Sequence, residues 1–257
     1  MAKYLTEFDT YAQYTAATLN LPNVSLVKST GDVYYKNIFA GAMLGDILMW
    51  DNVNNKLVTT LGGNWDSTTF PIAQYEPIAI NVYPASQASD GKSRFMALKW
   101  ASNESASGSA SVVRLCWGPD STSAGDITST DTSTLNGRAN TNKVVAVMPN
   151  TSGNTQSEYP IFYAVNQFYT NGTSAGDWYV PSYAELTFYE SNYSDINAKI
   201  QAIKTASSSI VDTVNEYQWS STEGGNSTAY ELRDNPQLNT ESRNNIYWTG
   251  VRGMIQL

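Results

Sequence analysis

Between Gly176 and Glu223 the chain reads Gly-Asp-Trp-Tyr-Val-Pro-Ser-Tyr-Ala-Glu-Leu, a helical segment, then Tyr217-Gln-Trp-Ser-Ser-Thr-Glu223, and this stretch constrains the fold most. Pro181 suits a helix N-terminus, and Ser182 followed by Glu185 has the spacing of a capping box. Leu186, Tyr189 and Tyr193 then fall at helical spacing. A second segment puts Ile196, Ile200 and Ile203 on one helical face, with Asp195, Lys199 and Lys204 off it. Trp178 and Tyr179 before the helices, and Trp219 after them, are expected to pack as aromatic flanks.

Around this helical unit the sequence reads mostly as strands, so the expected class is α+β. Pro77-Ile-Ala-Ile-Asn-Val-Tyr83 is a nearly continuous apolar run, the pattern of a strand covered on both faces. Arg94 to Trp100 is the next strand, and Val112 to Trp117 a short one. Residues 143–148 read as a strand or the end of a helix, and Tyr159 to Tyr169 as a helix. Thr228 to Leu232 is a strand, Arg233 to Arg243 a polar loop, and Asn245 to Thr249 and Gly250 to Ile255 are closing strands.

Before this body, Leu5, Phe8, Ala12 and Ala16 or Leu19 recur at helical spacing within 3–20, with Thr6 as N-cap. Asn23 to Val27 and Val33 to Tyr35 form a hairpin. Gly45 to Trp50 and Lys56 to Thr60 form another around an Asn-rich loop. Gly62-Gly63-Asn64 then suggests a boundary, giving an N-terminal module of residues 1–64 and a main domain of 65–257. A helix and one hairpin have too little core to stand alone. The module is therefore either an attachment or oligomerisation element or a part packed on the main domain.

Composition removes several function classes. The 257 residues carry a net charge of −8, with only 15% charged side chains and no Lys/Arg cluster, which argues against nucleic acid as a partner. The absence of histidine removes Ser-His-Asp and Cys-His catalysis and every His-containing metal site. Cys116, the one cysteine, sits in an apolar run and is expected to act as a small hydrophobe. No secretory signal is expected at the N-terminus, and no stretch has the length of a membrane span. The Asp/Ser/Thr-rich loop of 119–140 holds Asp120, Asp126 and Asp131. Its length suggests function or mobility, but its acidic residues do not follow an EF-hand and no Glu-Pro-Asn or Gln-Pro-Asp triplet occurs. No metal, cofactor or catalytic residue is therefore assigned.

Gly-Asp-Trp-Tyr-Val-Pro-Ser-x-x-Glu-Leu, Ile196-Asn197, Trp-Ser-Ser-Thr-Glu and Val251-Arg252-Gly253 together resemble a family of bacterial and phage proteins with a C-type-lectin-like fold of the tropism-determinant kind. The block Glu76-Pro-Ile, Pro84-Ala-Ser, Asp90-Gly91 and Arg94-Phe-Met-Ala-Leu98 resembles the opening of the same family. The N-terminal arrangement resembles modules of gut Bacteroidales phage structural proteins. The resemblance implies a C-type-lectin-like domain behind a helix-plus-hairpin module. It implies a non-enzymatic virion fibre or decoration protein, attached to other virion proteins through residues 1–64. It also implies a homo-oligomer, with a trimer favoured. In such relatives the terminal region displays the receptor-reading surface. That makes Asn235, Asn239, Arg243, Asn244, Tyr247 and Trp248 the candidate ligand-binding residues, for a host glycan or surface protein. One of Tyr247 and Trp248 is expected to point into the core. The alternative is an adhesin or carbohydrate-binding module on a bacterial surface. A glycan hydrolase would need paired carboxylates, such as Glu223 with Glu231 or Asp234.

Overall fold

The computed structural model describes residues 5–8, 24–27, 32–35, 38–60, 65–119, 127–148, 158–207, 217–225, 227–233, 237–244 and 249–257, the first three segments by backbone alone. Near the N-terminus, β1 (Leu5–Phe8) runs parallel to β2 (Val24–Val27), which pairs antiparallel with β3 (Asp32–Tyr35). The expected β2–β3 hairpin is thus present. Residues 5–8 are a strand and not the expected helix. Over four residues, apolar positions at Leu5 and Phe8 do not separate the two periods, and pairing with β2 satisfies the backbone. The rest of that expected helix, residues 3–4 and 9–20, lies outside the described residues.

The body is built on a six-stranded antiparallel sheet in the order β5-β4-β6-β7-β13-β8. Its strands are β4 (Ile47–Asp51), β5 (Lys56–Thr59), β6 (Tyr75–Tyr83), β7 (Arg94–Ala97), β8 (Trp178–Tyr179) and β13 (Met254–Gln256). Where Pro77 faces Met49 the ladder skips Ile78, because proline has no N–H to donate. The expected boundary near residue 65 meets a continuous sheet: β4 pairs with β6, so strands from both sides of that position share one core.

Both faces of this sheet are covered, as the apolar run in β6 predicts. Leu48, Phe95, Trp178 and Ile255 face one layer, which includes Ile161, Phe162 and Val165 of α2 (Pro160–Gln167) and Val144 of α1 (Gly137–Val147). Met49, Met96, Tyr179 and Met254 face the other, against Leu186 and Tyr189 of α3 (Tyr183–Ser191) and Ile196, Ile200 and Ile203 of α4 (Tyr193–Ala206). Each buried isoleucine contributes about 1.5–3 kcal/mol of transfer free energy. Residues 143–147 thus close a helix, and the predicted helix over 159–169 is α2.

A second sheet of four strands, in the order β11-β10-β9-β12, comprises β9 (Tyr217–Gly225), β10 (Thr228–Arg233), β11 (Gln237–Ser242) and β12 (Thr249–Gly250). Two expectations are corrected here. Much of the expected polar loop of 233–243 is strand β11, paired residue for residue with β10. Val112 to Trp117 is not a strand. It is stitched to the second sheet by the amides of Leu115 and Trp117, which donate to the carbonyls of Thr249 and Arg243 at 3.0 and 2.8 Å. The indoles of Trp117 and Trp219 lock the same seam, each donating at 2.8 Å to the other segment's backbone, at Ser220 and Leu115. Trp178 and Trp219 are buried, as their role as flanks requires. Cys116 is half-buried, and burial pushes its thiol pKa up. No helix among the described residues is long and apolar enough to cross a membrane.

Candidate functional site

Helix α3 is fixed at its start by the expected capping box. Ser182 Oγ accepts from the Glu185 amide, and Glu185 Oε2 accepts from the Ser182 amide at 2.7 Å. Such a cap contributes about 1 kcal/mol. Glu185 does more than cap. Its Oε1 accepts from Arg94 Nε at 2.8 Å and from the Tyr179 hydroxyl at 2.9 Å, tying the helix start to β7 and β8. Burial, with the charge of Glu185 adding to it, pushes the Tyr179 phenol well above its ordinary pKa. Gly137 lies against Glu185 and the Ser182 amide, with no room for a Cβ. Burial alone would lower the Arg94 pKa. The Asp90, Tyr179 and Glu185 groups outweigh it and raise it.

The outer face of α3 borders a cleft of about 570 Å³. From the helix come Tyr183, Thr187, Phe188 and Ser191; from the end of β6 and the turn after it, Tyr83, Gln87 and Ser89. The far wall is the 132–135 loop, part of the long segment whose length suggests function. Tyr83 and Phe188 stack with ring centroids 4.1 Å apart, and the Arg94 guanidinium sits 5.6 Å from the Tyr83 centroid. Tyr183 packs edge-on against Tyr230 at 4.5 Å. The loop is tied down as well: Ser182 Oγ donates to the Thr134 carbonyl at 3.2 Å, and Asp131 accepts from the Ser133 amide at 2.8 Å and its hydroxyl at 2.6 Å. These Ser133 bonds hold the Asp131 carboxyl below its ordinary pKa. The aromatic and loop walls are therefore held from beneath.

Hydroxyl orientation follows from these bonds. Thr187 donates to the Tyr183 carbonyl and Ser191 to the Thr187 carbonyl, both at 2.9 Å. With their protons committed, the oxygens of Thr187, Ser191 and Ser133 offer lone pairs outward. Among the described residues, no charged side chain lines the cleft. Two carboxylates stand behind the lining: Asp131, bonded to Ser133, and Asp90, bound by Arg94 at 2.9 Å. Burial opposes the ionisation of Asp90, but bonds from Arg94 and Lys92 prevail and hold its pKa below the ordinary value.

The residues expected to read a receptor are placed differently. Asn239 is half-buried on β11, the edge of the second sheet, and Asn244 is exposed in the turn after it, its Oδ1 accepting from Ser242 Oγ at 2.9 Å. Arg243 is corrected from a surface group to an internal strut. It is fully buried, pairs with Glu223 at 3.1 Å, donates to the Gly225 carbonyl at 2.7 Å and lies 4.8 Å from the Trp117 ring centroid. A guanidinium with five donors suits this many-sided site, where a neutral loop residue would not. Asn235, Tyr247 and Trp248 lie outside the described residues. Glu223 and Glu231 are also buried: Glu223 accepts from the Ile127 and Thr128 amides at 3.2 Å, and Glu231 from Thr249 Oγ1 at 2.7 Å. Asp234 lies outside the described residues. Among the described residues no three or more metal-ligating acidic or cysteine side chains gather.

Among the described residues, none of those expected to bind a ligand lines the cleft. Tyr183, Thr187 and Ser191 at four-residue spacing were a legible stripe opposite Leu186 and Tyr189. The loop and β6 residues that face it come from distant parts of the chain.

No protein-family model and no curated protein matches this chain. Among solved structures it is similar to a fimbrial protein from Bacteroides ovatus ATCC 8483, with 14% sequence identity and a TM-score of 0.47. The likeness covers 84% of this chain and 49% of that one, so this chain spans about half the length of that protein. A likeness of this degree is too slight to assign a fold or a role.

Proposed function

We propose that the chain is a non-enzymatic binding protein carried on a phage particle, as a head fibre, tail fibre or decoration protein. Its body is proposed to be a C-type-lectin-like domain turned toward the host surface, in line with the resemblance of the Gly176–Glu223 blocks. Residues 1–64, through the part that precedes β4, would attach it to other virion proteins, and a homotrimer is favoured.

The observation that carries the reading is where the ionisable groups lie. All five buried carboxylates among the described residues, Asp46, Asp51, Glu185, Glu223 and Glu231, are held by scaffold donors. Among the described residues, none lines the open cleft. An acid–base pair for bond cleavage needs carboxyls that face a substrate. Here the Glu223 and Glu231 carboxyls act as acceptors that hold strands together. A surface of aromatic edges, hydroxyls and amides suits recognition without chemistry.

The same surface suits an adhesin on a bacterial cell, and one experiment separates the two readings. Immunogold labelling would use antibody raised against residues 176–257, on both particles and cells of the source. Label on particles is the expected result. Label on cells alone would replace the virion reading with the adhesin. Release of reducing ends from host polysaccharide by the purified protein would overturn the non-enzymatic reading.

A further inference from the structure

We infer that the cleft between α3, the end of β6 and the 132–135 loop is a binding site for a short, uncharged saccharide. The inference rests on the binding role proposed above and names a ligand class and a place for it.

The cleft differs in charge from the rest of the chain. The chain is net negative, with 23 acidic residues, yet among the described residues the cleft lining has neither an acid nor a base, and the carboxylates behind it, Asp131 and Asp90, are bonded to Ser133 and Arg94. A site for an anionic sugar, a phosphate or a cation would present the opposite charge at the ligand. The polar groups here are hydroxyls, plus the Gln87 amide. Three of the hydroxyls spend their protons on protein acceptors: Ser133 on Asp131, Thr187 on the Tyr183 carbonyl and Ser191 on the Thr187 carbonyl. Their oxygens are therefore preset as acceptors, and a ligand rich in O–H donors satisfies them.

Beside those acceptors stand the apolar parts. Phe188 and Tyr83 form one stacked pair, and Tyr183 stands one helical turn earlier on the same face as Thr187. A pyranose presents C–H groups on its ring faces and hydroxyls around its rim, which matches apolar edges flanked by acceptors. The volume, about 570 Å³, is within the range of small-ligand clefts. The walls are also fixed before any ligand arrives, since Glu185 holds the helix and Ser182 holds the loop. A preordered wall spares the ligand the entropy of ordering it.

The test uses the full chain and titration calorimetry with neutral hexasaccharides of glucose, galactose and mannose, and with an oligogalacturonate as the anionic probe. Binding of a neutral probe is expected. Thr187→Val and Ser191→Ala keep the helix and remove one acceptor each, and each is expected to weaken binding about threefold to tenfold. Phe188→Ala is expected to weaken it by more than tenfold, with circular dichroism confirming that the variant folds. Gln201→Ala, exposed on α4, is expected to change nothing, and Asn239→Ala with Asn244→Ala, at β11 and the turn after it, tests the rival site. Binding of the anionic probe alone, no binding by any neutral probe, or neutral binding indifferent to Thr187→Val and Ser191→Ala would overturn the inference. Adsorption to host cells separates this failure from failure of the binding role. Adsorption abolished by periodate treatment of the cells and by Thr187→Val supports the inference. Adsorption abolished by protease, or by the Asn239/Asn244 change alone, sinks the cleft and leaves the binding role standing. Absence of adsorption sinks both.

Discussion

Strands β6 and β9 are both buried along their middles, by opposite chemistry. In β6, Pro77 to Val82 are all buried and all but Asn81 are apolar. In β9, Gln218 to Glu223 are all buried and all but Trp219 are polar. The first is held by volume and transfer free energy. The second is held by partners. The Asn140 side chain donates to Ser221 Oγ at 3.3 Å, the Tyr183 amide to Thr222 Oγ1 at 2.9 Å, and Glu223 meets Arg243 at 3.1 Å. Buried polar groups cost little when paired and much when orphaned, so damage to β9 should scale with partners removed and damage to β6 with atoms removed.

The sharpest break of this contrast is Arg243→Ala. It leaves Glu223 charged and buried, and a loss of about 3–5 kcal/mol in denaturant unfolding is expected. Adding Glu223→Leu should recover much of that loss, because the orphaned charge goes with it. A double variant as weak as the single would mean that packing, not charge, holds β9. Thr222→Val comes next. It keeps the shape but strips the acceptor from the Tyr183 amide, for an expected loss of about 1–3 kcal/mol. In β6, Ile80→Val removes one methylene and should cost about 0.5–1.5 kcal/mol, measured the same way. If Ile80→Val costs more than Thr222→Val, the contrast between the two strands fails.

The smallest effect is a pH effect on the apolar side. Burial raises the Tyr189 phenol well above its ordinary pKa of 10. The unfolded chain therefore loses this proton first. The contribution is intact below about pH 10 and declines as pH rises toward the folded-state value. Tyr189→Phe removes that decline, so the variant should lose less stability than the parent in thermal melts between about pH 9 and 11. Parallel losses would mean that Tyr189 titrates like an exposed tyrosine.

What the sequence made legible divides along the same line. The β6 run, the Ser182–Glu185 cap and the Ile196, Ile200, Ile203 face announce themselves through local apolar period or fixed spacing. Strand β11 does not. Gln-Leu-Asn-Thr-Glu-Ser has one apolar residue, and only pairing along β10 makes it a strand. Arg243 looked like a surface residue because its partners Glu223 and Trp117 are far away in sequence. The cleft was half legible. Its helical stripe is local, but Tyr83 and the 132–135 wall reach it only through the tertiary fold.

The position of Met254–Gln256 has a consequence for how the molecule comes into being. This strand lies between β7 and β8, and the Leu257 and Ser93 amides exchange hydrogen bonds at 3.1 Å beside it. Strands β4 to β7 can meet their neighbours early, across short stretches of chain. Among the described residues, β8 has no strand to pair with until residues some 75 positions later arrive, so this pairing closes a long stretch of chain. Until then Trp178 and Tyr179 have side-chain partners, such as Phe168 and Glu185, but no neighbouring strand for their backbone. A chain cut before residue 254 would carry a gap in the middle of its sheet and not at its edge. The order of the strands thus makes closure of this sheet depend on residues 254–256.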